Sequence, residues 1–143
     1  MHHRLLGTTG LWVSELCLGT MTFGYQCDEA TSVAILDHAA ESGITFIDTA
    51  DIYPIGAPNG TWGITEEIIG RWMKGKRDNF ILATKCFAPT GPKPWHQGNS
   101  RHNIIRALES GQHALTCFAP AEISSAVAMS ASKYDACVFE MEH

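Results

Sequence analysis

The sequence has no apolar run of the ~20 residues a membrane helix needs, no cysteine pair at CxxC spacing and no basic stripe, and each absence removes a class of protein. Its longest apolar stretches are interrupted by Ser, Gly, Asp or Glu, and the N-terminus shows no signal-peptide apolar region. A soluble, cytoplasmic protein with no membrane partner is therefore expected. The ten Lys and Arg residues are scattered among fifteen Asp and Glu, for a formal net charge of -5, which leaves no electrostatic footprint for nucleic acid. Five cysteines (Cys17, Cys27, Cys86, Cys117 and Cys137) are odd in number, so they read as reduced core thiols rather than as a zinc site or a disulfide framework. The signatures GxGxxG, GxxxxGK with a following Ser or Thr, and GxSxG are all missing, which argues against dinucleotide binding of the Rossmann type.

What is present is the composition of an ordinary globular chain. Hydrophobic residues make up 45% and charged residues 17%, so a buried core is expected and global disorder is not. A length of 143 residues suits a single domain, residues 1–143. It does not suffice for a complete eight-stranded β/α barrel, which needs about 250 residues and at the least about 200.

Two short runs, Arg4–Leu6 and Leu11–Val13, flank Gly7-Thr8-Thr9-Gly10 and read as a small hairpin. Glu15–Gly19 reads as a strand. Asp28 can cap a helix over 29–42, with Val33, Leu36, Ala39 and Ala40 on one face and Gly43 at its end. Ile44–Asp48 is a second strand, and Tyr53–Gly63 is a loop. Ile64, Ile68 and Trp72 repeat at helical spacing, and Phe80–Lys85 is a third strand. Ser100 caps a helix that buries Ile104, Ile105 and Leu108 and ends at Gly111. A further unit follows: strand Ala114–Phe118, a helix opening at Pro120 with Ile123 and Val127 inward, and strand Ala136–Met141. This alternation implies parallel strands with right-handed crossovers, as in an open doubly wound sheet or part of a β/α barrel.

Active sites of α/β folds are built at the C-terminal ends of parallel strands. Those positions hold Gly19-Thr20-Met21, Asp48, Lys85 and Glu142-His143, and Tyr53 follows Asp48 by five residues. A carboxylate, a phenol and an ammonium would then share one rim. An ammonium held by Asp48 beside a phenol would let Tyr53 give its proton to a carbonyl oxygen as hydride arrives. A purely structural Asp–Lys pair bracketing a loop tyrosine fits the same spacing equally well.

Four stretches carry a resemblance: Arg4-Leu5-Leu6-Gly7-Thr8-Thr9-Gly10-Leu11-Trp12-Val13-Ser14, Leu18-Gly19-Thr20-Met21-Thr22-Phe23-Gly24, Gly43 to Tyr53, and Thr65-Glu66-Glu67-Ile68-Ile69-Gly70. Together they resemble the first half of an aldo/keto reductase over residues 1 to about 109. The resemblance implies an α/β architecture: an incomplete (β/α) barrel of TIM type with an N-terminal β-hairpin and about five parallel strands. It also implies NADP(H) as hydride donor to a small-molecule carbonyl substrate, an aldehyde or ketone. By position it makes Tyr53 the general acid, Lys85 and Asp48 its tuning partners, and Gly19, Thr20, Met21 and Asp48 the cofactor-binding stretch beside the nicotinamide ribose. No metal site is implied.

The family's long following helix, its fourth strand with a catalytic histidine, and the basic pocket for the adenosine 2′-phosphate have no counterpart in the sequence. Residues 110–143 resemble instead the start of a metal-dependent 2-keto-3-deoxy acid aldolase, on Leu108-Glu109-Ser110-Gly111-Gln112-His113-Ala114-Leu115, Pro120-Ala121-Glu122-Ile123 and Tyr134 to His143. That resemblance puts a catalytic histidine at His143, with Glu140 where the motif has Asp, but its metal-ligand carboxylates are absent. The join falls near Leu108–Gly111. The expectation is thus a reductase-like, NADP(H)-linked chain, truncated and weakly active or inactive. The alternative is a non-catalytic chimeric fragment that self-associates through open sheet edges, with a lyase third. His96, His102 and His113 read as solvated, His2-His3 as an inert terminus, and Trp12, Trp62, Trp72 and Trp95 mostly as packing residues.

Overall fold

The computed structural model describes residues 1–58, 61–109, 116–120 and 136–140. Strands β1 (His3–Leu5) and β2 (Trp12–Ser14) form an antiparallel hairpin with Arg4 opposite Val13. The strands sit one residue outside the expected limits because Leu6 and Leu11 close the turn, the Leu6 amide donating to the Leu11 carbonyl at 2.9 Å. Ser14 fastens this hairpin to the rest of the chain. Its buried hydroxyl accepts from the amides of Thr45 and Phe46 at 3.0 and 3.1 Å and donates to the Leu16 carbonyl at 2.7 Å.

Strands β3 (Cys17–Gly19), β4 (Phe46–Asp48) and β5 (Ile81–Ala83) form a parallel sheet in that order. Gly19 pairs with Asp48, and Asp48 with Ala83. Side chains alternate across a strand, so Leu18, Ile47 and Leu82 fall on one face and Cys17, Phe46, Asp48 and Ile81 on the other. The first face is the core. There Ile47 and Leu82 pack with Phe23, Leu36, Ile69, Trp72, Met73 and Phe80. Burying side chains such as Leu36 and Ile47 contributes about 1.5–3 kcal/mol each.

Helices α1 (Glu29–Glu41) and α2 (Ile64–Trp72) supply the other side of that core. Helix α1 starts where the Asp28 carboxylate accepts from the Thr31 amide at 2.8 Å, and it stops before Gly43, whose φ of 81° a side chain would disfavour. On α2, Thr65, Glu66, Ile68, Ile69 and Trp72 are all buried, a wider face than the Ile64–Ile68–Trp72 stripe. The Trp72 indole N–H donates to Asp37 at 2.6 Å across the helix pair, and the Trp72 and Phe80 rings lie 4.8 Å apart. Arg71 grips Glu29 at 2.9 and 3.0 Å, an exposed pair that adds little to stability.

Helix α3 (Arg101–Glu109) begins where the Ser100 hydroxyl accepts from the Asn103 amide at 3.2 Å. Strands β6 (Thr116–Pro120) and β7 (Ala136–Glu140) pair in parallel with each other in a separate two-stranded sheet. The expected five parallel strands therefore divide between two sheets, and no barrel closes among the described residues. Pro120, expected to open a helix, is instead a residue of β6 and lies opposite Glu140 of β7, a position at a strand end that a residue without an N–H can occupy. The rest of that helix, with Ile123 and Val127, lies outside the described residues, as do Ser110–Gly111 of the join and Glu142-His143.

Two packing expectations change. Trp12 is exposed, opposite Leu5, which is also exposed, whereas Trp72 is buried. Of the cysteines expected in the core, Cys86 is buried, Cys27 half-buried and Cys17 exposed, because the core lies on the other face of β3. No helix among the described residues is long and apolar enough to cross a membrane.

The turn after β3 is pressed against α2: the Thr65 hydroxyl donates to the buried Phe23 carbonyl at 2.7 Å. At Gly24, with φ of 89°, a Cβ would meet Ile64 Cγ2 at 2.5 Å. Gly24→Ala is expected to lower unfolding stability by about 2 kcal/mol or more, through left-handed strain and overpacking together. Urea denaturation measures this, and an unchanged midpoint would show that the turn yields freely.

Candidate active site

The sheet register sets the site. Asp48 ends β4 beside Ala83, and backbone pairing continues past the strand ends: the Thr49 amide donates to the Ala83 carbonyl at 2.8 Å and the Asp51 amide to the Lys85 carbonyl at 3.0 Å. Lys85 lies two residues beyond Ala83 and, by alternation, on the same face as Asp48. Its ammonium donates to both carboxylate oxygens of Asp48 at 2.7 Å and to the Thr49 carbonyl at 2.7 Å. The two side chains are only 26% and 27% exposed, so water screens the pair less than it would a surface pair.

Tyr53 joins them from the following turn. Its amide donates to the Ala50 carbonyl at 3.1 Å, and its carbonyl accepts from the Gly63 amide at 3.1 Å. These bonds bring the ring to within 5.1 Å of the Lys85 Nζ, measured to the ring centroid. On the other flank, Thr20 is fully buried, and both its amide and its hydroxyl donate to the Asp48 carbonyl at 3.1 and 2.8 Å. Gly19 has nothing within 4 Å of where a Cβ would stand, leaving its backbone open beside Asp48. The structure thus gathers Asp48, Tyr53, Lys85, Gly19 and Thr20, while Met21 points outward and is exposed.

Sequence reading missed three nearby groups. Cys17 sits two residues before Gly19, on the same sheet face as Asp48. Although Cys17 is exposed as a residue, partial desolvation of its thiol and then the Asp48 carboxylate push its pKa up to about 11, against the opposing pull of Lys85. On the helix side, the buried Thr84 hydroxyl donates to Glu66 at 2.5 Å. Asn103, fully buried, donates to the carbonyls of Cys86 and Gly98 at 3.4 and 3.0 Å. Period-two alternation would have found Cys17, and a carboxylate on the inner stripe of α2 was a signal for Glu66. Among the described residues, no group of three or more His, Cys, Asp or Glu could hold a metal ion.

A profile of the aldo/keto reductase family matches residues 15–118, past the expected join at Leu108–Gly111. The uncharacterized oxidoreductase YrpG of Bacillus subtilis is 44% identical over 117 residues, covering 76% of this chain and 35% of that protein. The norsolorinic acid reductase of Aspergillus flavus is 40% identical over 130 residues, covering 80% of this chain and 32% of that protein. Among solved structures, the holo form of the aldo-keto reductase AKR11C1 from Bacillus halodurans superposes with a TM-score of 0.66 at 31% identity, covering 89% of this chain and 43% of that one. The chain spans about a third of the length of the curated relatives it matches.

The raised Cys17 pKa makes a labelling prediction. A thiol whose pKa is raised stays protonated, and hence a poor nucleophile, until the pH approaches about 11. Alkylation of Cys17 by iodoacetamide, followed by peptide mass spectrometry, should remain slow at pH 8.5 and accelerate above pH 10. In Asp48→Asn the acceleration should begin at lower pH; rapid labelling of the unaltered chain at pH 8 would contradict this electrostatic picture.

Proposed function

Because the chain belongs to the aldo/keto reductase family, we propose that Asp48, Tyr53 and Lys85 form the proton-donating half of an NADP(H)-dependent site that reduces aldehydes or ketones. The observation that carries this reading is the placement of a carboxylate-held ammonium beside the Tyr53 ring. Bound NADPH would supply a hydride to the carbonyl carbon. Tyr53 would give its hydroxyl proton to the carbonyl oxygen, and the Lys85 ammonium would stabilise the phenolate left behind. Asp48 keeps Lys85 in place and offsets its charge.

The residues present fit the nicotinamide end of such a cofactor. The open backbone at Gly19 leaves room for close approach, and Asp48 stands next to it as a hydrogen-bond acceptor. Thr20 fixes that backbone by its two bonds to Asp48.

A second reading, a non-catalytic fragment that self-associates, draws on the edge position of β3, which pairs with β4 alone among the described residues. The Thr20 amide turns toward β4, so by alternation the backbones of Cys17 and Gly19 face the other way, and both residues are exposed. Cofactor binding separates the two readings. In the reductase reading, NADPH titration gives saturable enhancement of nucleotide fluorescence, and Tyr53→Phe leaves that binding intact while reducing carbonyl-dependent NADPH oxidation by about 100-fold or to the uncatalysed rate. Absence of NADPH binding, or undiminished oxidation in Tyr53→Phe, would favour the second.

A further inference from the structure

The loops that follow β3, β4 and β5, residues 20–28, 49–63 and 86–100, hold few charges: Asp28, Asp51 and a single cation, Lys93. Asp51 is buried, and the exposed Asp28 is committed to capping α1, which leaves Lys93 as the single cation of the three loops, exposed to solvent. Lys93 makes no ion pair among the described residues, and its Nζ lies 5.4 Å from the centroid of the Trp95 ring. Trp95 is half exposed, and Phe87, in the same loop, is more so.

This loop has a defined shape. The Gly98 amide donates to the Phe87 carbonyl at 2.7 Å, closing residues 87–98 into a ring of chain. Inside it the Thr90 amide donates to the His96 carbonyl at 3.0 Å and the His96 amide to the Lys93 carbonyl at 2.9 Å. His96 packs directly on Gly91, where even a Cβ would collide with its ring. Asn103 bonds to both stems, at Cys86 and Gly98, so its fully buried amide anchors the loop base, which begins one residue beyond Lys85. A loop tied at its base and across its middle holds its exposed aromatic and cationic groups in place before any ligand arrives, which lowers the ordering cost of binding.

Resting on the reductase reading, the geometry points to the 87–98 loop as a specificity element that selects aromatic carbonyls bearing a carboxylate, with Trp95 taking the ring and Lys93 the negative charge. An aliphatic aldehyde gains neither contact. Asn103 acts through the loop as a positioning residue and touches no ligand.

Calorimetric titration of the 143-residue chain with 4-carboxybenzaldehyde, benzaldehyde, butanal and NADPH tests this without requiring turnover. Affinity for 4-carboxybenzaldehyde should exceed that for butanal by about tenfold, and Trp95→Leu should reduce it about fivefold. Lys93→Gln should weaken 4-carboxybenzaldehyde and leave benzaldehyde and NADPH unchanged. Both substitutions are on the surface, so thermal melting should not move. Failure of 4-carboxybenzaldehyde to bind at millimolar concentration, equal affinity in Trp95→Leu, or weakening of NADPH by Lys93→Gln would overturn the assignment. The last result would make Lys93 a contact for cofactor phosphate. Loss of NADPH binding with the aldehyde discrimination intact would instead count against the reductase reading alone.

Discussion

The ammonium of Lys85 organises the C-terminal end of the sheet. Three acceptors converge on it at 2.7 Å, two from the Asp48 carboxylate and one from the Thr49 carbonyl. All three belong to β4 or the residue after it, so a side chain launched from the end of β5 ties the two strands together where their ladder stops. The pair is partly buried, an environment in which a charge-assisted contact is stronger than on the surface but becomes costly if one partner is removed. Tyr53 stands beside this pair, its ring centroid 5.1 Å from the Lys85 Nζ.

The pair in turn depends on register. Gly19, Asp48 and Ala83 lie abreast, and a slip of one residue in β4 would turn Asp48 into the core and Ile47 out of it. The apolar face prevents that slip: Ile47 and Leu82 are fixed against Leu36 of α1 and Ile69 and Trp72 of α2. Further anchors act from outside the sheet. Ser14 holds the start of β4, Thr20 holds its last carbonyl, and the Phe23–Gly24 turn is pinned to α2 by Thr65. The core and the Asp48–Lys85 pair are thus drawn from opposite faces of the same three short strands.

Local signals made the first part of the chain legible from sequence. Asp28 and Gly43 delimit α1 by capping chemistry, and Ser100 does the same for the start of α3. Asp48 and Lys85 were identified as the polar ends of apolar runs, and their contact follows from parallel pairing. What was illegible depended on distant partners. The exposure of Cys17 is decided by which face of β3 the helices cover, and the burial of Asn103 by two carbonyls in a loop whose path cannot be read from its prolines. Pro120 illustrates the limit of residue preference: it suits a first helical turn and a strand terminus alike, and pairing with β7 determines the outcome. The same pairing separates β6 and β7 from the three-stranded sheet, which a uniform alternation of elements does not foretell.

The central claim is that Asp48 and Lys85 act as one unit on which the site is built, and a double-mutant cycle tests it most directly. Urea unfolding of the unaltered chain, Asp48→Asn, Lys85→Met and the combined variant gives the coupling energy between the two side chains. For a partly buried, charge-assisted pair the account predicts a coupling of about 1 kcal/mol or more, with the double variant less destabilised than the sum of the singles. Additive effects would contradict it and leave the two residues as neighbours without a shared role.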